Sequence, residues 1–210
     1  MNIKVNFAEQ DMNFKPNFGE VFNVSDGGYE RGYAAGYEDG AESAPDYLAQ
    51  LASGTLTEYA SNKVTSVTDN AFYSITSLTS ISLPKATVAS SNAFYGCTKL
   101  TNVDMPSLAY FSTGCFRGCT SLKKVRFSSA TAIGTWAFRG CTNLTALILD
   151  GASVCSLSVA SALLETPIAN GTGYIYVPAA LMEKYKATSN WWNYESQIRA
   201  IEDYPDIVGN

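Results

Sequence analysis

AFYSITSLTSISLPKATVASSN at 71–92, AFYGCTKLTNVDMPSLAYFSTG at 93–114, CFRGCTSLKKVRFSSATAIGTW at 115–136 and AFRGCTNLTALILDGASVCSLS at 137–158 align without a gap. Ladders of like residues run through them at a spacing of 22. Phe72, Phe94, Phe116 and Phe138 form one, and Leu78, Leu100, Leu122 and Leu144 another. Ile81, Val103, Val125 and Leu147 form a third, and Leu83, Met105, Phe127 and Leu149 a fourth. Coincident ladders at one spacing mark a stack. A single repeat is too small to bury its own apolar side chains, and piling like residue on like residue makes one continuous core. Leu56 and Tyr59 continue two ladders upstream, so a half-turn begins near Leu56. A further apolar ladder of Val67, Ala89, Phe111, Ile133 and Cys155 predicts a second strand-like wall.

The segment Leu-x-x-Val-x-Leu alternates in the manner of a short strand. In the third repeat Val125 and Phe127 should point in, and Lys124 and Arg126 out. Neighbouring strands are expected to pair in parallel, and about five turns would give a body roughly 25 Å long. The Ala-Phe-x-Gly-Cys stretch is read as a tight helical turn on the opposite wall. The predicted fold is therefore a short right-handed α/β solenoid of parallel strands, capped by C-terminal helices. Residues 1–45 read as an attachment or oligomerisation segment, 46–178 as the solenoid and 179–210 as the cap.

The pattern Ala-Phe-x-x-Cys-x-x-Leu-x-x-Val-x-Leu-Pro, over residues 56–178, resembles the BspA-like leucine-rich repeats of bacterial surface and adhesion proteins. Cys115 replaces the alanine, and Ser128 and Asp150 replace the proline. The resemblance implies a fold that presents a binding surface. It does not imply a ligand, because such solenoids bind many unlike partners.

Net charge is −5, unevenly placed. Residues 1–60 carry ten acids and three bases, residues 61–149 eight bases and two acids, and residues 150–210 seven acids and three bases. A basic body can attract an anionic glycan or cell-wall polymer, although a solvated lysine-rich surface accounts for the same numbers. Nucleic acid is not the expected partner, given the overall negative charge. No apolar run approaches the roughly 18 residues of a membrane span, and the start MNIKVNFAEQ has no apolar stretch of the kind a secretory signal needs. The expected location is a virion or the cytoplasm, with the cell surface as the alternative.

Histidine is absent, which removes the commonest general base and transition-metal ligand. Cys97, Cys119 and Cys141 share one repeat position, while Cys115 and Cys155 occupy a small and an apolar position. No Cys-x-x-Cys pair exists. Metal ligation is therefore not expected, and neither is any cofactor. The five thiols read as small buried hydrophobes with weak S–H donors. A glycosidase would need two placed carboxylates, but in residues 61–149 Asp69 and Asp104 stand alone and no spacing in the acidic ends identifies a pair, so no catalytic residue is expected.

Beyond Leu163 the segment LETPIANGTGYIYVP breaks the spacing, then restores inward Ile175 and Val177 as a fifth, modified strand. AALMEKYKATSNWWNYESQIRAI reads as helical in two pieces, with Leu181 and Tyr185 on one face and Ile198 and Ile201 on another. Trp191 and Trp192 are expected to fold over the exposed core edge; the alternative is an aromatic sugar site. This ending resembles the terminal module of repeat proteins encoded in gut Firmicutes genomes and their prophages.

Residues 1–45 differ in kind. Ile3, Val5 and Phe7 alternate as a strand. Gly28, Gly32, Gly36 and Gly40 then recur every four residues beside Tyr29, Tyr33 and Tyr37. This suits either a flexible spacer or a helix packed through its glycine and tyrosine faces, as in a homo-oligomer. An EF-hand loop from Asp26 fails, with Arg31 at its sixth position and Tyr37 at its twelfth. The segment resembles the leading part of prophage-encoded, tail-associated proteins.

The reading that follows is a non-catalytic binding protein of a phage or prophage tail, its partner a protein or cell-surface glycan. A bacterial leucine-rich-repeat adhesin is the alternative. The first place to look for a ligand is the outward strand stripe: Ser80 and Ser82, Asn102 and Asp104, Lys124 and Arg126, Ala146 and Ile148, Tyr174 and Tyr176. Burial of Ile148 and Tyr176 under the C-terminal segment would remove the aromatic end of that stripe.

Overall fold

The computed structural model describes residues 55–208, together with Gln50 and Ser53. The strand, helix and oligomer readings for residues 1–45 lie outside the described residues. Each repeat forms one rung with three walls. Every rung contributes a three-residue strand to the first wall and a two-residue strand to the second. In chain order these are β1 (Glu58–Ala60) and β2 (Ser66–Val67), β3 (Ser80–Ser82) and β4 (Val88–Ala89), then β5 (Asn102–Asp104) and β6 (Tyr110–Phe111). They continue as β7 (Lys124–Arg126) and β8 (Ala132–Ile133), then β9 (Ala146–Ile148) and β10 (Ser156–Leu157). Pairing is parallel, and up to β9 each pair keeps the register of the repeat, as in Ile81 opposite Tyr59 and Phe111 opposite Ala89.

The third wall departs from the expected helical turn. It is a run of tight turns with a left-handed residue at every fourth position: Asn70 and Ser74, Asn92 and Gly96, Gly114 and Gly118, Trp136 and Gly140. Those residues stop the chain from winding on into a helix, in which every N–H would bond along its own segment. Half of the amides bond within the turn, as Tyr73 N–H does to Asn70. The others face the next rung. Phe72 donates to the Ala93 carbonyl, Phe94 to Cys115 and Phe116 to Ala137, at 2.7–2.8 Å. The second wall and the turn wall are thus hydrogen-bonded along the stack, and the first wall along most of it. Threonine hydroxyls reinforce them: Thr79 donates to the Thr57 carbonyl, Thr101 to Thr79 and Thr131 to Ala109.

Inside, the ladder phenylalanines stack nearly parallel, with centroids 5.2 Å apart for Phe72 and Phe94, 4.9 Å for Phe94 and Phe116, and 5.6 Å for Phe116 and Phe138. Each is fully or almost fully buried, worth roughly 1.5–3 kcal/mol apiece by area removed from water. The step between the third and fourth rungs is crowded. Phe127 stands where its sister rungs hold Leu83, Met105 and Leu149, and Phe111 where they hold Val67, Ala89 and Ile133. These two rings meet edge to face at 4.5 Å. At this level the first wall divides into a β1–β3–β5 sheet and a β7–β9 sheet that continues into the cap, while the second wall runs unbroken from β2 to β10. Val103, on the rim of the break, is only half-buried. The expectation of continuous pairing fails at this one junction, which lies beside the two crowded rings.

The cap closes the open end. The fifth rung slips by two residues: Leu157, not Cys155, lies opposite Ile133. The Cys155 backbone left outside the ladder is satisfied by cap side chains. Its N–H donates to the Tyr185 hydroxyl at 2.9 Å, and its carbonyl accepts from the Trp191 indole at 2.7 Å. A 3-10 turn (Ala160–Leu163) stands in for the missing turn wall, with Phe138 donating to Ala162. β11 (Tyr174–Val177) pairs with β9 and buries Ile175 and Val177. After α1 (Ala179–Ala187) and a 3-10 turn (Trp191–Gln197), the chain forms β12 (Ile198–Ala200), parallel to β11. The second helical piece read from Ile198 and Ile201 is therefore a 3-10 turn followed by a strand. An edge strand with unpaired amides offers backbone partners, and that outweighs a short helical periodicity. A further 3-10 turn (Ile201–Asp203) and α2 (Pro205–Val208) end the described chain.

Phe116→Ala is expected to cost about 3–5 kcal/mol, read from urea unfolding. Tyr185→Phe strands the Cys155 amide and is expected to cost about 1–3 kcal/mol.

Candidate functional site

The outward stripe of the first wall divides in two. Asn102, Asp104, Lys124 and Arg126 are exposed, and Ser80 and Ser82 are half-buried. These side chains largely bond one another. Asn102 donates to the Ser80 hydroxyl at 3.0 Å, and Ser82 to the Asp104 carboxylate at 2.6 Å. Arg126 Nε donates to Asp150 at 2.8 Å. Burial pushes the Asp150 carboxyl up, but hydrogen bonds from Arg126 and Ser128 and the guanidinium charge outweigh it and hold the pKa below its ordinary value. The Lys124 ammonium lies 3.4 Å from the Ile207 carbonyl of the cap.

The other half of the stripe is not surface. Ala146, Ile148 and Tyr176 are buried as a small satellite core, against which Tyr174, Ile201 and Ile207 pack. Tyr176 also meets the Tyr204 ring at 5.3 Å, and Tyr174 carries the Arg199 guanidinium 4.5 Å above its face. Ile148 and Tyr176 are therefore corrected from candidate contacts to packing residues, and Tyr174 is half-buried beside them. Apolar side chains at the end of the stack were matched by apolar side chains of the cap. The tryptophans likewise part: Trp191 is fully buried, whereas Trp192 is 57% exposed. Trp192 lines a shallow pocket of about 540 Å³ with Lys186, Glu195 and Arg199.

A second stripe lies on the turn wall, where sequence reasoning did not look. It occupies the x of Ala-Phe-x-Gly-Cys: Tyr73, Tyr95, Arg117 and Arg139. The Tyr73 and Tyr95 rings stack at 4.8 Å, 4° from parallel. The Arg117 guanidinium sits 5.5 Å from the Tyr95 ring and 5.4 Å from that of Trp136. Arg139 also approaches the Trp136 ring, at 5.9 Å, and pairs with Glu165 at 2.8 Å. Trp136 is 38% exposed and adopts φ +56°. The left-handed region costs a bulky residue about 1–2 kcal/mol, and glycine or asparagine stands at the sister positions Gly114, Asn92 and Asn70. The recurrence of x at the repeat spacing was a signal that could have found this stripe. It was obscured because the residue type changes from tyrosine to arginine halfway along.

All five cysteines are free and buried. The thiols of Cys97, Cys119 and Cys141 each donate to a carbonyl of the preceding rung, at Phe72, Phe94 and Phe116, at 3.0–3.1 Å. Burial pushes Cys97, Cys141 and Cys155 up to about 12, and Cys115 and Cys119 also well above the usual range. Among the described residues no group of three or more Cys, Asp or Glu is placed to hold a metal ion, and no helix is long and apolar enough to cross a membrane.

Stacked rungs, parallel strands and surface stripes at one spacing define a leucine-rich-repeat solenoid. Residues 53–158 match the BspA type leucine rich repeat region in six copies, and the chain belongs to that family. Among solved structures it is similar to a leucine-rich repeat protein from Bacteroides ovatus, at 22% identity and a TM-score of 0.50, over 69% of this chain and 36% of that one. It is also similar to the T. pallidum leucine rich repeat protein, at 26% identity and a TM-score of 0.48, over 58% and 57% of the two chains. A leucine rich cell surface protein from Faecalibacterium prausnitzii aligns at 22% identity and a TM-score of 0.42, over 64% and 38%. The chain spans between about a third and just over half the length of these relatives. No curated protein matches it.

The thiols carry a pH dependence. Cys97, Cys141 and Cys155 are pushed up to about 12 in the folded chain, whereas an ordinary thiol ionises near 9.0. The unfolded chain loses these protons first, so stability falls as pH rises from about 9 towards 12. Tyr185 and Tyr194, pushed by burial from 10.0 to about 12, add to the fall. Cys97→Ala combined with Cys141→Ala is expected to flatten the decline of Tm with alkaline pH. In the folded wild type all five thiols should react slowly with a thiol reagent.

Proposed function

We propose that the chain is a non-catalytic binding module of a phage or prophage tail, in which residues 1–45 attach or oligomerise and the solenoid meets a protein or cell-surface glycan. The observation that carries the reading is the division of labour within each rung. The repeat's apolar residues are used up in the core, and what remains outside is a set of aligned polar, basic and aromatic side chains held on a rigid stack. Such a surface suits recognition of an extended partner. The tail assignment is supported by the resemblance of residues 1–44 to tail-associated leading segments.

The test is to purify tail particles from induced cultures of the encoding organism and identify their proteins by mass spectrometry. Co-purification with particles at a constant ratio to tail proteins is the expected result. Recovery only from intact cells, by protease shaving of their surface, would instead assign the chain to the adhesins.

A further inference from the structure

We propose that the turn wall, centred on Trp136 and Arg117, is the ligand face of the solenoid, and that its ligand is an anionic polysaccharide. This rests on the binding-module reading above. Three features of the wall point the same way.

The first is an arginine held ready for an anion. Arg117 lies between the Tyr95 and Trp136 rings, at 5.5 and 5.4 Å, and among the described residues it has no ion-pair partner. Its neighbour Arg139 is paired with Glu165, and Arg126 on the first wall with Asp150. Aromatic faces fix the guanidinium without using its in-plane donors, and a planar fork of that kind matches a carboxylate or phosphate in two parallel hydrogen bonds.

The second is Trp136 itself. The residue is 38% exposed, and sister rungs use asparagine or glycine at this left-handed position. A bulky aromatic kept on the surface in an unfavourable backbone conformation points to a contact outside the chain. Its apolar face beside charged donors suits a sugar ring, which also has an apolar face and a polar rim.

The third is the wall's flatness and repetition. Gly96, Gly118 and Gly140 lie next to the stripe and stack on one another through their backbones. The strip they form has no side chains and so no pockets for the side chains of a peptide. The wall's backbone amides at Phe94, Gly96, Phe116 and Gly118 are already bonded between rungs, so an extended peptide cannot be added there as a strand. What remains is a smooth track bearing one aromatic or cationic group per rung, at roughly 4.8 Å spacing, which fits an extended polymer that carries anionic groups. The eight bases against two acids in residues 61–149 favour its approach.

The experiment measures binding of the full chain to polygalacturonate, to a phosphomannan, to neutral dextran and to poly-glutamate, by affinity electrophoresis and calorimetry. The variants are Trp136→Asn, Arg117→Gln and the first-wall pair Lys124→Ala with Arg126→Ala. Trp136→Asn installs a sister-rung residue that tolerates the left-handed backbone, and a Tm measured beside each binding assay separates lost contact from unfolding. The expected result is binding to at least one of the two anionic polysaccharides, the pair showing whether carboxylate or phosphate is read. Dextran should not bind, Trp136→Asn and Arg117→Gln should each weaken binding by about tenfold or more, and the first-wall pair should leave it unchanged. Four results would overturn the proposal: no retention by either anionic polysaccharide, unchanged binding in Trp136→Asn, loss confined to the first-wall pair, or equal affinity for poly-glutamate. Loss confined to the first-wall pair would leave the binding-module reading standing and move its face. Absence of all polymer binding would remove the ligand but not the particle association measured separately.

Discussion

No rung of this protein can close on itself. Each has three short walls, and in every wall the backbone donors and acceptors that cannot bond locally point along the stack. A buried amide without a partner is expensive, so the rungs exist only as neighbours. Much else in the structure follows from this. The left-handed residues of the turn wall turn alternate amides toward the next rung. The threonines that start the strands give their hydroxyls to carbonyls one rung back. The cysteine ladder makes the same kind of bond from inside the core. With charged residues at only 16%, hydroxyls and thiols supply much of the polar side-chain bonding between rungs.

A stack held together only by neighbours has a problem at its ends, and the C-terminal segment answers it in three ways. It supplies apolar cover through Trp191, Tyr185 and Ile198. It adds backbone partners through β12. It satisfies the Cys155 amide and carbonyl that the slipped fifth rung leaves out. The cap also wraps onto the outside of the first wall, where Ile201 and Ile207 meet Ile148 and Tyr176. Closing the core and deciding which surface stays accessible are therefore one event. The first wall keeps its polar half and loses its aromatic half, and the turn wall retains a continuous aromatic and cationic stripe.

The junction of the third and fourth rungs shows core volume and surface chemistry changing together. Phe111 and Phe127, on successive rungs, crowd the step between them, the first wall parts beside them, and the second wall and the turn wall stay bonded. Along the turn wall from there on, Arg117, Trp136 and Arg139 replace the smaller or neutral residues of earlier rungs. The solenoid is regular in its backbone and graded along its length in side-chain chemistry, and the gradient is what a partner could read.

The amino-acid sequence alone determined the period, the inward ladders, the parallel pairing and the burial of the cysteines. Each of these follows from the same residue types recurring at 22, and recurrence is a local, countable property. It did not determine that Ala-Phe-x-Gly-Cys is a left-handed-punctuated turn rather than a helical one, because Gly96, Gly118 and Gly140 tolerate either conformation and only the next rung's carbonyls choose. Nor could it place Ile198 in a strand, since the deciding partner, the open edge of β11, lies 23 residues away in the chain. The accessible surface was the least legible feature. Ile148 and Tyr176 alternate outward like Lys124 and Arg126, and only the tertiary path of the last residues covers one pair and leaves the other in water. Patterns within a segment are set by its own side chains, whereas exposure depends on what else packs against that segment, and the repeat spacing says nothing about that.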